Sequence, residues 1–388
     1  MYLVGIDIAK YNHQCFIATT HGEVINEFSF DNNSDGFKLL LKHLSALDQS
    51  LEIKIGLEAT GHYGNTLKQL LSANGYTFIE FNPYLAKQFF KSTTIRKTKT
   101  DKVDARLLSS MLASVDYKTL HTKYYHTNEL KSLTRTRNSL IETRSNSLVQ
   151  ITNALDIVFP EFKAHFSNRL GLTALYILKK YKTPEKISKL TKNQFQTISN
   201  KFMGKFTYPK FLKLKDLAKN TIGIKSNSIT TVMIIHIDLF HSINTNIEIL
   251  ENEIKKIMSL TNCKMITIPG ISLMSAATIL GEVNDFNNFS NPAKLIAFSG
   301  FDIAIYQSGE SLSYGKLVKR GSSLLRKTIW NLVLGSIRLI PEITEYYHKK
   351  RAEGKHRNVI FSAISRKLLR IIYHLETNNV SYDKNKIR

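Results

Sequence analysis

Apolar and polar positions alternate, then cluster, then alternate again along the first hundred or so residues. "YLVGIDIAK", "CFIATT" and "VINEFSF" are short β-rich runs, with "HGE" as a turn between the second and third. They predict three strands in an antiparallel meander. "SDGFKLLLKHLSAL" then takes up a helical period, with Ser34 and Asp35 as candidate caps. "LEIKIGLEATG" reads as a buried strand, "HYGNTLKQLLSANG" as a helix stopped at Gly75, and "YTFIEFNP" as one more strand. Three strands, a helix and then β-α-β is the order of a ribonuclease-H-like α/β domain, expected over residues 1–115.

From 116 to 262 the pattern is helical. Leu130, Leu133, Leu140, Ile141, Leu148, Ile151 and Leu155 form a roughly heptad stripe that ends before Pro160. Ile243, Ile247, Leu250, Ile254 and Ile257 keep the alternating four-and-three spacing of a coiled-coil seam. A hairpin within one chain and a coil between chains satisfy this pattern equally. Residues 164–220 show no clear period. From 263 to 376 the chain is expected to be mainly helical, followed by a basic tail over 377–388. "MITIPGISLMSAATILGEV" resembles a helix-hairpin-helix, whose turn at Gly270 would offer backbone amides to a DNA phosphate. The expected fold class is therefore α/β plus all-α.

Charge narrows the partner. Fifty-four Lys and Arg against thirty-one Asp and Glu give a net +23 over 388 residues, spread through segments that look folded. A polyanion, nucleic acid above all, is the expected ligand. No run reaches the eighteen or so apolar residues of a spanning helix. "TTVMIIHIDLF" is short and carries His236 and Asp238. No membrane partner is expected. "MYLVGIDIAK" has neither a basic start nor a cleavage site, so no secretory signal is read. Two cysteines are too few for a structural zinc site. A cytoplasmic, nucleoid-associated location in a bacterial cell is expected.

The acids supply candidate chemistry. Asp7 is expected at the centre of the first strand between Ile6 and Ile8, where an unpaired carboxylate is costly. Glu58 ends the strand "IKIGLE", and strand ends are where α/β sheets gather ligands. Asp101 and Asp104, three apart at a helix start, share one face. On their own these last two read as a solvated, salt-bridging surface. Four carboxylates brought together repel one another, and Mg²⁺, a hard cation, resolves the repulsion while organising phosphoryl transfer.

"VGIDIAK", "GLEATGHYG" and "KTDKVDARLL" closely resemble the RuvC-like DEDD domain of insertion-sequence family 110, which includes pilin-gene invertases and bridge-RNA-guided recombinases. "IPGIS", "LIAFSGFDIAIYQSGES" and "KRGSSLLRKTIW" resemble its second signature domain. The resemblance covers about 1–115 and 263–345. It implies a transposase that cuts and rejoins DNA, with Mg²⁺ held by Asp7, Glu58, Asp101 and Asp104. It also implies a nucleophilic serine, matched by Ser308 in "YQSGES". A guide RNA from the element and a homodimer or homotetramer on DNA are further implications. Without the resemblance Ser308 reads as a turn serine, and Ser311, Ser313, Ser322 and Ser323 compete with it. The stretch "ESLSYGKLVKRGSS" is rich in Lys where many relatives have an Arg-containing serine stretch. This leaves Lys316, Lys319, Arg320 and Arg326 as candidates to hold the scissile phosphate.

Three other functions compete with this reading. A RuvC-like junction nuclease would hydrolyse DNA and form no covalent adduct. A sugar-kinase-like or actin-like ATPase needs a glycine-rich phosphate loop after the first strand, and "DIAKYNHQ" has none. A non-enzymatic scaffold explains the charge but leaves Asp7 and Glu58 without a purpose.

Overall fold

The computed structural model describes residues 1–58, 61–81, 83–93, 100–114, 125–166, 170–308 and 311–384. The described chain divides into two compact units, one of residues 1–125 with 285–290, the other of 126–284 with 291–388.

Unit 1 is built on β1 (Tyr2–Asp7), β2 (Asn12–Thr19) and β3 (Val24–Asp31), followed by α1 (Ser34–Ser45) and β4 (Ile53–Glu58). Then come α2 (Asn65–Ala73), β5 (Phe78–Phe81), α3 (Pro83–Thr93) and α4 (Asp101–Ser114). The sheet order is β3-β2-β1-β4-β5. β1–β2 and β2–β3 are antiparallel, whereas β4 is parallel to both β1 and β5. The meander and the β-α-β order thus match the alternation in the sequence. The α1 cap is Asn33, not Ser34 or Asp35: its side chain accepts from the Gly36 N–H at 2.9 Å, and Ser34 is already helical.

Side-chain alternation splits the sheet into two apolar faces. Val4, Ile6, Ile8, Cys15, Ile17, Ile55 and Leu57 pack toward α1 and α2. Leu3, Ile79 and Phe81 pack with Leu108, Met111 and Leu112 of α4, and Phe16 and Ala18 pack with Ala105. Gly5 lies on the α4 side. A Cβ there would press into the Ala105 carbonyl oxygen and stand 2.6 Å from the Ser109 nitrogen. Backbone therefore meets backbone, and the Ser109 hydroxyl donates to the Leu3 carbonyl at 3.1 Å. Arg106 closes the other side of α4, its Nη2 2.6 Å from Glu27 Oε2 on β3.

Unit 2 begins with α5 (Tyr125–Val158), which runs on into α6 (Phe162–His165). There follow α7 (Leu172–Tyr181), α8 (Pro184–Ser188), α9 (Lys192–Lys201), α10 (Tyr208–Lys219) and α11 (Asn227–Ser259). Residues 164–220, without a period in the sequence, hold most of these short helices, and Phe162, Leu175, Leu178, Ile198, Phe211 and Leu214 give them a core. Short elements bury too few residues each to build a periodic signal, so only their sum is apolar. Arg137 reaches Glu251 at 2.6 Å and Arg144 reaches Asn244 at 3.0 Å. These pairs set α5 and α11 antiparallel within one chain, the hairpin alternative for the two stripes.

The remaining elements are α12 (Leu273–Val283), α13 (Pro292–Phe298), β6 (Ile303–Ser308), β7 (Ser311–Leu317), α14 (Ser323–Leu339), α15 (Pro341–Ala352) and α16 (Arg357–Asn378). β6 and β7 form an antiparallel hairpin inside a region expected to be mainly helical. "IAIYQS" carries two Ile and a Tyr, but "SLSYGKL" has one aromatic and no β-branched residue, so its strand is only weakly marked in the sequence. The first arm of the proposed helix-hairpin-helix is only a three-residue 3₁₀ turn, Met265–Thr267. Among the described residues no helix is long and apolar enough to cross a membrane.

One carboxylate ties this unit together. Glu282 on α12 is 3% exposed and takes two hydrogen bonds from Arg135 of α5, at 2.6 and 2.9 Å. It takes a third from the Ser322 hydroxyl at 2.7 Å. Burial pushes the Glu282 carboxyl up, but the bonds from Arg135 and Ser322 and the nearby charges outweigh it and hold its pKa below the ordinary value.

Two outcomes are expected. Gly5→Ala should destabilise the protein by about 1–3 kcal/mol, since the added methyl must force α4 off β1; urea unfolding of wild type and variant measures it, and equal midpoints would refute the close approach. Glu282→Gln should cost roughly 1–3 kcal/mol at neutral pH. The contribution of the native carboxylate is complete above about pH 4.3 and is lost as pH falls through its lower folded pKa. Unfolding curves at stepped pH should show that acid limb in wild type and a shallower one in the variant.

Candidate active site

The register of β1 against β4 pairs Ile6 with Leu57, so Asp7 and Glu58 come next on two parallel neighbours. Adjacent strands lie about 4.8 Å apart, and equivalent positions point to the same face. Asp7 follows Gly5 by two, and Glu58 follows Gly56 by two. A Cβ on Gly56 would meet Phe81 and Leu112, which places that face, like Gly5's, under α4. Asp7 is the last residue of β1 rather than its centre, and both acids are half-buried.

The N-terminus of α4 runs toward the same end. Ser109 stands over Leu3 and Ala105 over Gly5, so helix and strand run in opposite directions. Four helical residues advance about 6 Å, as do two strand residues. One more step along each chain carries α4 from Ala105 to Asp101 and β1 from Gly5 to Asp7. Thr100 caps the helix, its hydroxyl accepting from the Val103 N–H at 3.4 Å. Asp101 is exposed and Asp104 half-buried. Acids in a first turn also suit the helix dipole, which accounts locally for their tolerance there.

The backbone thus directs all four acid-bearing positions to one end of one sheet face. Their side chains do not close into a ligand shell: among the described residues no group of three or more His, Cys, Asp or Glu could hold a metal ion. The donor set is nonetheless entirely carboxylate oxygen, the chemistry that Mg²⁺ or Mn²⁺ takes. Ala59 and Thr60, which follow Glu58, and Lys97, Thr98 and Lys99, which precede α4, lie outside the described residues.

Ser308 closes β6, in register with Ser311, the first residue of β7. It therefore sits at the tip of the hairpin. Gly309 and Glu310 of its motif are outside the described residues. Of the competing serines, Ser322 is committed to structure. Its hydroxyl donates to Glu282 and accepts the Leu325 N–H at 3.1 Å as the α14 cap.

The cationic candidates separate. Lys316 lies on β7, whereas Lys319 and Arg320 are exposed beyond it, Lys319 with φ +54°. Arg326 Nη1 donates to the Lys319 carbonyl at 3.2 Å and the Ser299 carbonyl at 3.5 Å, so it braces the base of the hairpin. Gly270 has φ +91°, and a Cβ there would stand 3.3 Å from the Gly335 carbonyl carbon on α14. Packing of the turn against that helix accounts for the glycine.

Sequence reasoning missed Gln14. It pairs with Asp7 across β1 and β2 and is 6% exposed. "HQC" places two polar residues inside an apolar strand, and that was the available signal.

Residues 4–160 match the model of the IS110 DEDD transposase domain, and residues 264–348 match that of the IS116/IS110/IS902 transposase family. The pilin gene-inverting protein of Moraxella bovis is 25% identical over 98% of this chain and 97% of its own length. Its counterpart from Moraxella lacunata is 24% identical over the same shares. The transposase for insertion sequence element IS1328 of Yersinia enterocolitica is 26% identical over 36% of this chain and 43% of its own. With two models of one family matched in order at the two ends of a sheet-plus-helix chain, this protein belongs to the IS110 family of transposases.

Proposed function

We propose that this transposase cuts and rejoins DNA strands through a covalent phosphoserine on Ser308, with Asp7, Glu58, Asp101 and Asp104 holding Mg²⁺. The observation that supports the metal-site reading most is the placement of Asp7 and Glu58 on adjacent parallel strands beneath the first turn of α4. Mg²⁺ bound there would supply charge stabilisation to phosphoryl oxygens as negative charge builds on them. The part of the carboxylates is to hold it with hard oxygen ligands, two from strand ends and two from a helix.

Ser308 would provide the nucleophile. Its hydroxyl oxygen bonds to the scissile phosphorus while the bond from phosphorus to one strand oxygen breaks. The serine proton passes to solvent, and the departing strand oxygen takes one up. The phosphodiester becomes a phosphoserine diester of equal bond count, so a strand hydroxyl can reverse the step without ATP. Position at the tip of a hairpin suits a residue that must reach a bulky substrate. Lys316, Lys319 and Arg320, toward the base of the same hairpin, are the phosphate-binding candidates. Arg326, braced on carbonyls, acts instead by fixing the hairpin. The reading extends to a guide RNA and a homodimer or homotetramer on DNA, for which the +23 charge supplies the electrostatic attraction.

Changing Asp7 or Glu58 to Ala should abolish strand cleavage while leaving the unfolding midpoint in chelator unchanged or higher, because clustered negative charge is relieved. Full cleavage by Asp7→Ala would end the metal-site assignment. For the serine, denaturing gels of wild type with labelled DNA should show protein joined to one strand end. Ser308→Ala should lose that adduct and recombination but keep DNA binding, since one hydroxyl adds little to a large polar interface. Nicking by Ser308→Ala without any wild-type adduct would establish hydrolysis, the junction-nuclease chemistry. An adduct that maps to Ser311 or Ser313 would move the nucleophile along the hairpin.

A further inference from the structure

Gln14 is out of place for a purely structural residue. It is 6% exposed on β2, yet its side-chain nitrogen has no hydrogen-bond partner among the described residues. Leaving a buried amide unpaired costs about 1–3 kcal/mol, and an aliphatic side chain would avoid that cost. Phe16 and Ala18, on the same face of β2, pack with Ala105 of α4. Alternation therefore turns Gln14 toward the carboxylate face. There it stands directly across from Asp7, whose other neighbour in the sheet is the strand ending at Glu58. Across the sheet the row reads Ser29, Gln14, Asp7, Glu58 and then Phe81, the residue in register with Glu58. Two neutral polar residues begin it and an aromatic ring ends it.

We propose that Gln14 is a positioning residue for the carboxylate site, donating its amide N–H to the Asp7 carboxylate when that carboxylate ligates a divalent cation. The inference rests on the metal-site reading above. A carboxylate that gives one oxygen to a metal keeps lone pairs to satisfy on the other, and ligating carboxylates are regularly held by such a partner. The donor's neutrality matters. A Lys or Arg at this position would itself neutralise Asp7 and compete with the cation, whereas an amide orients the oxygen and leaves its charge for the metal. Cross-strand neighbours have Cβ atoms about 4.5–5.5 Å apart, within reach of a glutamine and an aspartate side chain.

The test is calorimetric titration of the full chain with Mn²⁺ and Mg²⁺, beside thermal unfolding in chelator. Gln14→Leu should weaken cation binding by about tenfold or more. Its unfolding midpoint without cation should equal or exceed that of wild type, because the unpaired buried amide is gone. Gln14→Met, unbranched and close in shape, repeats the measurement should Leu fail to fold. Wild-type cation affinity in a folded variant overturns the inference. So does a lower cation-free midpoint in both variants, since it would mean that the amide is already paired in the resting fold. Asp7→Ala in the same titration separates the two levels. If it also binds like wild type, the carboxylate site itself is wrong; if it loses binding while Gln14→Leu does not, only the role of Gln14 falls.

Discussion

The backbone of α4 rests on the backbone of β1 at Gly5, with Ala105 and Ser109 on either side of the contact. No side chain larger than hydrogen fits between them, and the geometry of unit 1 on that face follows from this approach. It fixes the distance of the helix from the sheet, and the Ser109 bond to Leu3 fixes its position along the strand. The Arg106–Glu27 pair adds a tether from the far side. With depth and register both set, the first turn of α4 is carried to the end of the sheet where β1 and β4 finish. A shift of one residue in that register would turn Asp101 and Asp104 by about 100° around the helix axis and away from the strand ends.

Unit 2 solves a different problem. The apolar stripes of its long helices α5 and α11 are narrow, so packing alone aligns them weakly. Arg137 with Glu251, Arg144 with Asn244, and Arg135 with Glu282 place specific polar pairs along the length of α5. Glu282 matters most of these because it is almost fully buried and also receives the cap serine of α14. The residue before the cap in the chain is Gly321, and the hairpin bearing Ser308 ends only a few residues earlier. A carboxylate on α12 thus restrains the start of α14, from which Arg326 braces the hairpin base. The path from Glu282 to the hairpin runs through Ser322 and Arg326, and it explains why positively charged side chains there take structural duties beside any contact with DNA.

The α/β sheet domain with a mostly helical remainder was legible in the chain itself, as were the acids of the candidate site. Short β-rich apolar runs in the first eighty residues, set apart by turn and helix signals, marked five strands in chain order, because a sheet covered on both faces asks its strands for near-continuous apolar runs. Glu58 at a strand end and Asp101 at a helix start were readable from local pattern alone, and the charge of +23 pointed to a polyanion without any structure. What local pattern could not supply was adjacency. That Asp7 ends β1 beside Glu58, that Gln14 faces Asp7, and that Arg135 finds Glu282 147 residues away are consequences of register and packing between distant segments. The short helices of 164–220 and the β6–β7 hairpin escaped for a related reason: elements of a few residues draw their stability from neighbours rather than from their own periodicity. Sequence determines which side chains each element offers to a face, since the periods of helix and strand are set by backbone geometry. Only the tertiary structure decides which faces meet, because that depends on backbone approaches such as the one at Gly5, where the decisive feature is the side chain that is missing.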